Sequence, residues 1–548
     1  MLETTSQFGF LKFLVVAGVG LFGDGYLNLS IGLGIPLSFP VPYSLKTFLT
    51  LPVVPMLGYL YFADEENKIP TLPADTIKAA LSIGMIVGQL GFGILGDALG
   101  RHRIYGKELM ITILGTLLCV LMPWRGFSHH DVIAWMSVFR VLTGIGIGGD
   151  YPMTSALSAE HNPLHSRAKL VLAVFASIGL GGFTAGITYL VLLAAFKSSV
   201  DHNIYHLHWV WRLLFALGLV PLIITLYFRL TMPESKPYQQ YVAEETSLKK
   251  DGRRGLHEQF QDFKTYFSEW KHAKVLFAVS MCWFLFDIAF YGVNLNQSVI
   301  LSRIGYGKAD TPWGTLWNTA VGNIIVAAAG YLPGYYIGIF LPDWIGRVRQ
   351  QFYCSAVVAG LYAIWAGVLT DSSTSTGGLI AIFTLAQLFL NMGPNCTTFL
   401  LPVEVFPTRV RGTAHGIAAA SGKAGAIVTA FSFAQLTDAI GLSAVLGILA
   451  GIMALCAACT LLIPETKGRT LDEIEHGILY GESRSPGVSS DSDGESYKTK
   501  PGLGAGRGVR GGNGGDGGDG DSSPVLDGST SVRPKWDMDA DKGRGVGV

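Results

Sequence analysis

GDALGRHR, residues 96 to 103, closes one long apolar run, and PDWIGRVR, residues 342 to 349, closes another at the corresponding place further along the chain. Both spell D-x-x-G-R-x-R. A second pair accompanies it, MPES from Met232 and IPET from Ile463. Two repeats in register predict a duplicated plan, with a cleft between the copies. In the first copy Asp97 is expected to contact the next helix end or nearby arginines such as Arg101, as a conformational latch, and Asp343 and Arg347 repeat the arrangement. The plainer alternative is a solvated turn with weak surface ion pairs.

Composition sets the solvent. With 49% apolar and 15% charged residues, against about 25% charged in a soluble domain, the chain reads as an all-α polytopic membrane protein. Apolar runs near 10–35, 76–99, 104–122, 132–159, 168–195, 209–230, 274–300, 312–341, 351–369, 378–402, 410–437 and 442–463 are each long enough for a helix of about twenty residues to cross a bilayer. That makes about twelve helices. They fall into a six-helix half at 1–232, a polar connection at 233–273, and a second half at 274–480. Basic residues gather in alternate connections: Arg101, His102, Arg103 and Lys107; Arg167 and Lys169; Lys249 to Arg254; Arg347 and Arg349; Arg409 and Arg411; Lys467 and Arg469. The positive-inside rule then places both termini in the cytoplasm.

From 481 to 548 glycine, serine and aspartate dominate, and such a segment cannot bury enough surface to fold, so a disordered cytoplasmic tail is expected. Its balanced charges and scarce aromatics give no reason to expect nucleic acid. The six cysteines lack metal-site spacing and read as small buried residues, so neither a metal nor another cofactor is implied. No nucleophile–base pair or nucleotide-binding loop points to an enzyme. No removable signal peptide is read before the first span.

WFLFDIAFYGVNLNQS, Trp283 to Ser298, carries the chemistry. An aspartate at mid-bilayer depth is disfavoured by about 2.5 kcal/mol or more, so Asp287 must face a cavity or a partner. Counted by fours, Trp283, Asp287 and Tyr291 share one helix face, stacking an N–H donor, a carboxyl and a phenol. Asn395 and Lys423, in the tenth and eleventh spans, offer an amide and a cation to the opposite wall. Asp150 and Tyr151 follow a glycine-rich stretch that brings a carboxyl and a phenol near the cleft. Asp24, inside the first span, is a further intramembrane acid, and Glu108 begins the third span where a snorkelling surface acid is the competing reading.

GIGIGGDYPMTSALSAEH from Gly144, the Trp283 stretch, and GPNCTTFLLPVEVFPTRVRGTAHGIAAASGK from Gly393 resemble the phosphate:proton symporter family, the fungal- and plant-type inorganic phosphate transporters of the major facilitator superfamily. The resemblance implies the major facilitator fold and proton-coupled import of inorganic phosphate across the plasma membrane. It implies proton handling at Asp24, Glu108 and Asp150, phosphate contact at Tyr151, and a Lys423–Asp287 pair. The anion would lie among Tyr151, Trp283, Tyr291 and Asn395, with Asp287 taking part in both binding and proton coupling. Phosphate, protons and the lipid bilayer are the partners it implies, and the oligomeric state is not readable.

Three departures from the family stand out. VFASIG, Val174 to Gly179, has Ile178 where the family carries a phosphate-binding glutamine. Leu27 replaces a second acid of the first span. Gly34 to Pro52, with four prolines, interrupts the first apolar run, as either an excursion of the chain or a gene-model artefact. The enlarged apolar pocket at Ile178 leaves a glycerophosphodiester as the alternative substrate, and the extra tail leaves a non-transporting phosphate sensor as the alternative role.

Overall fold

The computed structural model describes residues 7–32, 56–57, 60–62, 69–124, 126–160, 164–235, 238–239, 255–295, 297, 300–301, 312–370, 374–470 and 473. The interruption at 34–52, the tail at 481–548 and residues 240–254 of the polar connection lie outside them.

In chain order the main helices are α1 (Gln7–Gly32), α2 (Thr71–Leu99), α3 (Arg101–Ile104), α4 (Lys107–Val120), α5 (His129–Glu160), α6 (Leu164–Phe175), α7 (Ser177–Ala195) and α8 (Leu207–Leu230). Then come α9 (Leu256–Phe267), α10 (Trp270–Asn294), α11 (Pro312–Val326), α12 (Leu332–Ile345), α13 (Arg347–Val368), α14 (Thr376–Leu390), α15 (Cys396–Val405) and α16 (Arg411–Thr460). No strand occurs among the described residues.

Nine of the described helical segments are long and apolar enough to cross a membrane, and the longest, α16, is two helices meeting at Gly441, where φ is 83°. Splitting α16 there and adding α1 and α4 gives the twelve spans expected from the apolar runs. α6 and α7 together form one span, as do α11 with α12 and α14 with α15. The last two are joined through wider π turns at Ala327–Tyr331 and Asn391–Asn395. Pro394 sits in the second, where its missing N–H and ring are accommodated by the wider turn.

α2 packs along α5 and α16, α10 along α16, α13 along α16, and α1 along α7, while α6 meets α12. These contacts set a ring of helices around a central space.

The repeated motifs have the same local cause in both copies. Gly100 and Gly346 close α2 and α12 at φ 95° and 99°, a backbone conformation glycine adopts readily. A β-carbon at either would also lie 2.6 Å from a carboxylate oxygen, of Glu234 in one copy and Glu465 in the other. Those glutamates are the E of MPES and IPET. Glu234 Oε2 accepts from the His102 amide at 3.1 Å, and Glu465 accepts from the Arg347 and Val348 amides at 2.9 and 3.1 Å. Each therefore satisfies free N–H groups at the start of the helix that follows the glycine.

Candidate functional site: a buried cavity above a ring of ion pairs

The cavity is lined from seven spans: Asp24 and Asn28 of α1, Tyr151 of α5, Phe175 and Ile178 at the α6–α7 junction, Trp283, Asp287 and Tyr291 of α10, Tyr331 and Tyr335 of the eighth span, Asn395 of the tenth, and Lys423 of α16. The helical spacing of Trp283, Asp287 and Tyr291 does put all three on its wall.

Lys423 organises the polar side. Its ammonium donates to Asp287 Oδ2 at 3.1 Å and to the Tyr291 hydroxyl at 2.7 Å, and it lies 4.5 Å from the Tyr291 ring centre. Asn28 donates to the same hydroxyl at 3.2 Å. Across the cavity Tyr151 donates to Asp24 Oδ2 at 2.5 Å. Asn395 donates to the Tyr335 hydroxyl and to Asn391 Oδ1, each at 2.7 Å. Glycines allow the approach: a β-carbon at Gly422 would fall 2.4 Å from the Trp283 ring, and one at Gly25 2.0 Å from the Ile178 carbonyl.

Glu108 and Asp150 stand apart from this cavity. Both carboxylates turn to Arg229 of α8, Glu108 at 3.3 Å and Asp150 in a shorter contact. Arg229 also donates to the carbonyls of Val16 and Ala17 at 2.9 and 2.6 Å, and its guanidinium lies 4.7 Å from the Tyr105 ring centre. Glu108 is fully buried, which removes the surface-acid reading. Asp150, placed near the cleft by sequence, is instead one third of this cluster. Arg229 went unread because an arginine near a span end resembles any positive-inside residue; its signal was an intramembrane cation in YFRL.

The repeated loops form a second network. Asp97 is buried, not solvated: it accepts from the Gly412 and Thr413 amides at 3.0 and 2.7 Å, from the Thr413 hydroxyl at 2.8 Å, and pairs with Arg101 at 3.0 Å. The helix end it meets is thus the start of α16. Gln259 of α9 reaches the same spot, donating to the Arg409 carbonyl at 3.0 Å. Arg101 and Arg411 share Glu160, at 3.3 and 2.9 Å; Arg167 and Arg347 share Glu404, at 3.0 and 2.9 Å. Burial works against the Arg101 cation, but Glu160 and Asp97 outweigh it and hold its pKa above the ordinary value. Asp343 is more exposed than Asp97 and pairs with Arg347 at 3.3 Å and Lys169 at 3.5 Å. Glu160 and Glu404 were not singled out by sequence, although each lies at the end of the second span after a repeated D-x-x-G-R-x-R loop.

This arrangement defines a membrane transporter, and residues 58–477 match the family described as sugar (and other) transporter. The proton:xylose symporter XylE bound to 6-bromo-6-deoxy-D-glucose aligns over 85% of this chain and 98% of its own, with a TM-score of 0.63 and 19% identity. An inward-open XylE structure from E. coli aligns with a TM-score of 0.58 over 85% and 99%, again at 19% identity. Those likenesses show the major facilitator fold. The inorganic phosphate transporter PHO84 of Saccharomyces cerevisiae is 35% identical over 545 residues, covering 88% of each chain. The repressible high-affinity phosphate permease of Neurospora crassa is 35% identical over 513 residues, covering 85% of this chain and 86% of its own. The chain belongs to the family of these inorganic phosphate transporters, within the major facilitator superfamily, and is a multi-pass membrane transporter rather than an enzyme.

Proposed function

We propose that the protein imports inorganic phosphate with protons across the plasma membrane, by alternating access of a half at 1–232 and a half at 274–480 joined by residues 233–273, with both termini cytoplasmic. The observation that carries the reading is the charge of the cavity: one lysine, Lys423, stands with two carboxylates, Asp24 and Asp287. With both acids ionised the lining carries a net negative charge and repels an anion. Protonating either or both makes it neutral or positive, so anion and proton load together.

In this reading phosphate is held by Tyr151, Trp283, Tyr291 and Asn395, and Lys423 turns from Asp287 to the anion once Asp287 takes a proton. Asp24 and the Glu108–Asp150–Arg229 cluster carry protons beside the site. Co-transport also answers the electrical problem, since each negative charge entering a negative-inside cell costs about 2.3 kcal/mol per 100 mV. The names of the similar fungal transporters support phosphate as the substrate. Asp97, Arg101, Asp343 and Arg347 hold the cytoplasmic end shut through the paired glutamates.

Uptake of radiolabelled phosphate into proteoliposomes under an imposed pH gradient tests this. Acid-driven uptake that disappears in Asp287→Asn is expected; uptake indifferent to the gradient contradicts it. Ile178 beside Phe175 gives the cavity an apolar flank, which favours a phosphate ester as the second reading. Competition by a glycerophosphodiester stronger than by phosphate itself would establish that substrate instead.

A further inference from the structure

We infer that Gln89 and His415 form an exit-side station for the phosphate oxyanion, separate from the cavity at Asp287 and Lys423; the inference rests on the transport reading above. Gln89 of α2 is wholly buried, and neither its amide nitrogen nor its amide oxygen has a hydrogen-bond partner. His415 of α16 is 1% exposed; its Nε2 lies 3.3 Å from the Phe399 carbonyl, and its Nδ1 has no partner.

The two residues flank one contact. A β-carbon on Gly416, the chain neighbour of His415, would fall 2.3 Å from the Gln89 carbonyl, and one on Gly93, a turn along α2, would fall 2.6 Å from the Gly412 carbonyl. Backbone meets backbone along this seam, with an amide and an imidazole sealed beside it. Buried polar atoms are normally satisfied, so three orphaned atoms on the residues that flank this backbone contact weaken the closed seam where apolar side chains would not. Groups kept at such a cost serve another state.

Their position says which. Along α16, Lys423 lines the cavity, His415 lies two turns nearer the latch, Gly412 and Thr413 bind Asp97, and Arg411 binds Glu160. The His415 ring stands edge-on to Trp283, a cavity residue, at 5.5 Å and to Phe399 at 5.2 Å, and Phe399 stacks on Phe175 at 4.3 Å. The imidazole therefore lies between the aromatic floor of the cavity and the ion-pair latch. When α2 and α16 part, the Gln89 amide and the His415 N–H become donors just beyond Trp283 and Phe399, matched to an oxyanion leaving the cavity. The groups facing His415 are the Trp283 ring from α10 and the Phe399 ring and carbonyl from α15. None is charged, so a proton gained by the imidazole as water enters adds to its hold on the anion.

The test measures radiolabelled phosphate flux from each face in proteoliposomes of known orientation. In Gln89→Leu and His415→Leu the KM on the exit face rises about tenfold, the loss of one hydrogen bond to a charged group, while the KM on the entry face is unchanged. His415→Asn, which keeps a donor, stays near the intact value, and Gln89→Leu melts at a higher temperature. Should the leucine variants fail to fold, Gln89→Glu, which keeps the shape and opposes the anion, must show the same one-sided rise. Equal shifts on both faces, or none, overturn the inference. Intact protein that moves no phosphate overturns the transport reading as well and is recognised before any variant is made.

Discussion

Glu160 and Arg411 lie 251 positions apart in the chain and 2.9 Å apart in space, both buried, with Arg101 sharing the same carboxylate. Glu404 does the same for Arg347 and Arg167. Each glutamate thus holds one arginine from its own repeated motif and one from the other side of the central connection. Glu160→Gln leaves two buried guanidinium groups short of charge, a loss of about 3 to 5 kcal/mol of the kind seen when one partner of a buried pair is removed. A lowered thermal midpoint in detergent, with transport reduced at least as much by Glu404→Gln, is the expected result.

Lys423→Met leaves Asp287 buried without its cation. The single variant is expected to lose pH-driven uptake and to unfold at a lower temperature than the double variant Asp287→Asn/Lys423→Met. Thermal unfolding of the set checks this, because removing both charges of a buried pair is far milder than removing one. A single variant as stable as the double would show the pair to be unimportant.

Ile178 lines the cavity, at the position where the family resemblance implies a glutamine. Ile178→Gln adds an amide there, and a hydrogen bond to a charged group contributes about 1.5 to 3 kcal/mol. The KM for phosphate is expected to fall by at least tenfold in uptake assays, an effect of that size at 25 °C. No change would mean the anion does not reach this wall.

Arg229 holds Glu108 and Asp150 together, so Arg229→Leu sets two buried carboxylates against each other without a cation. Loss of folded yield and of uptake is expected. Adding Glu108→Gln to that variant restores part of the yield, measured by size-exclusion chromatography, since one of the two acids is then neutral.

What the chain disclosed in advance follows from the cost of polar groups in lipid. Asp24, Asp287 and Lys423 are costly inside apolar runs, with a static ion pair between two helices as the plainer reading of Asp287 and Lys423, and the structure gathers all three around one cavity with Tyr151, Trp283, Tyr291 and Asn395. The spans were legible for the same reason, with helix ends within a few residues of the apolar runs. The D-x-x-G-R-x-R and P-E repeats were visible, but not that Glu234 and Glu465 cap the helices after the repeated glycines, which is a matter of φ and of contacts more than 110 residues apart. Arg229, Glu160 and Glu404 escaped because their meaning lies in long-range pairing. An arginine or glutamate near a span end is ordinary until its partner is seen. Asp150 was read toward the cleft because glycines precede it, and it faces Arg229 because Gly20 of α1 leaves room: a β-carbon there would fall 2.1 Å from Asp150 Oδ2 and 2.7 Å from Arg229 Nη2.

Coupling is the central claim, and lumenal pH reports it most directly. With a pH dye trapped in proteoliposomes at equal pH on both sides and no membrane potential, adding phosphate outside should acidify the lumen as the anion enters, more than titration by the arriving phosphate itself explains. Asp24→Asn and Asp287→Asn should abolish the excess. Phosphate that enters the intact protein with no excess protons would contradict the account.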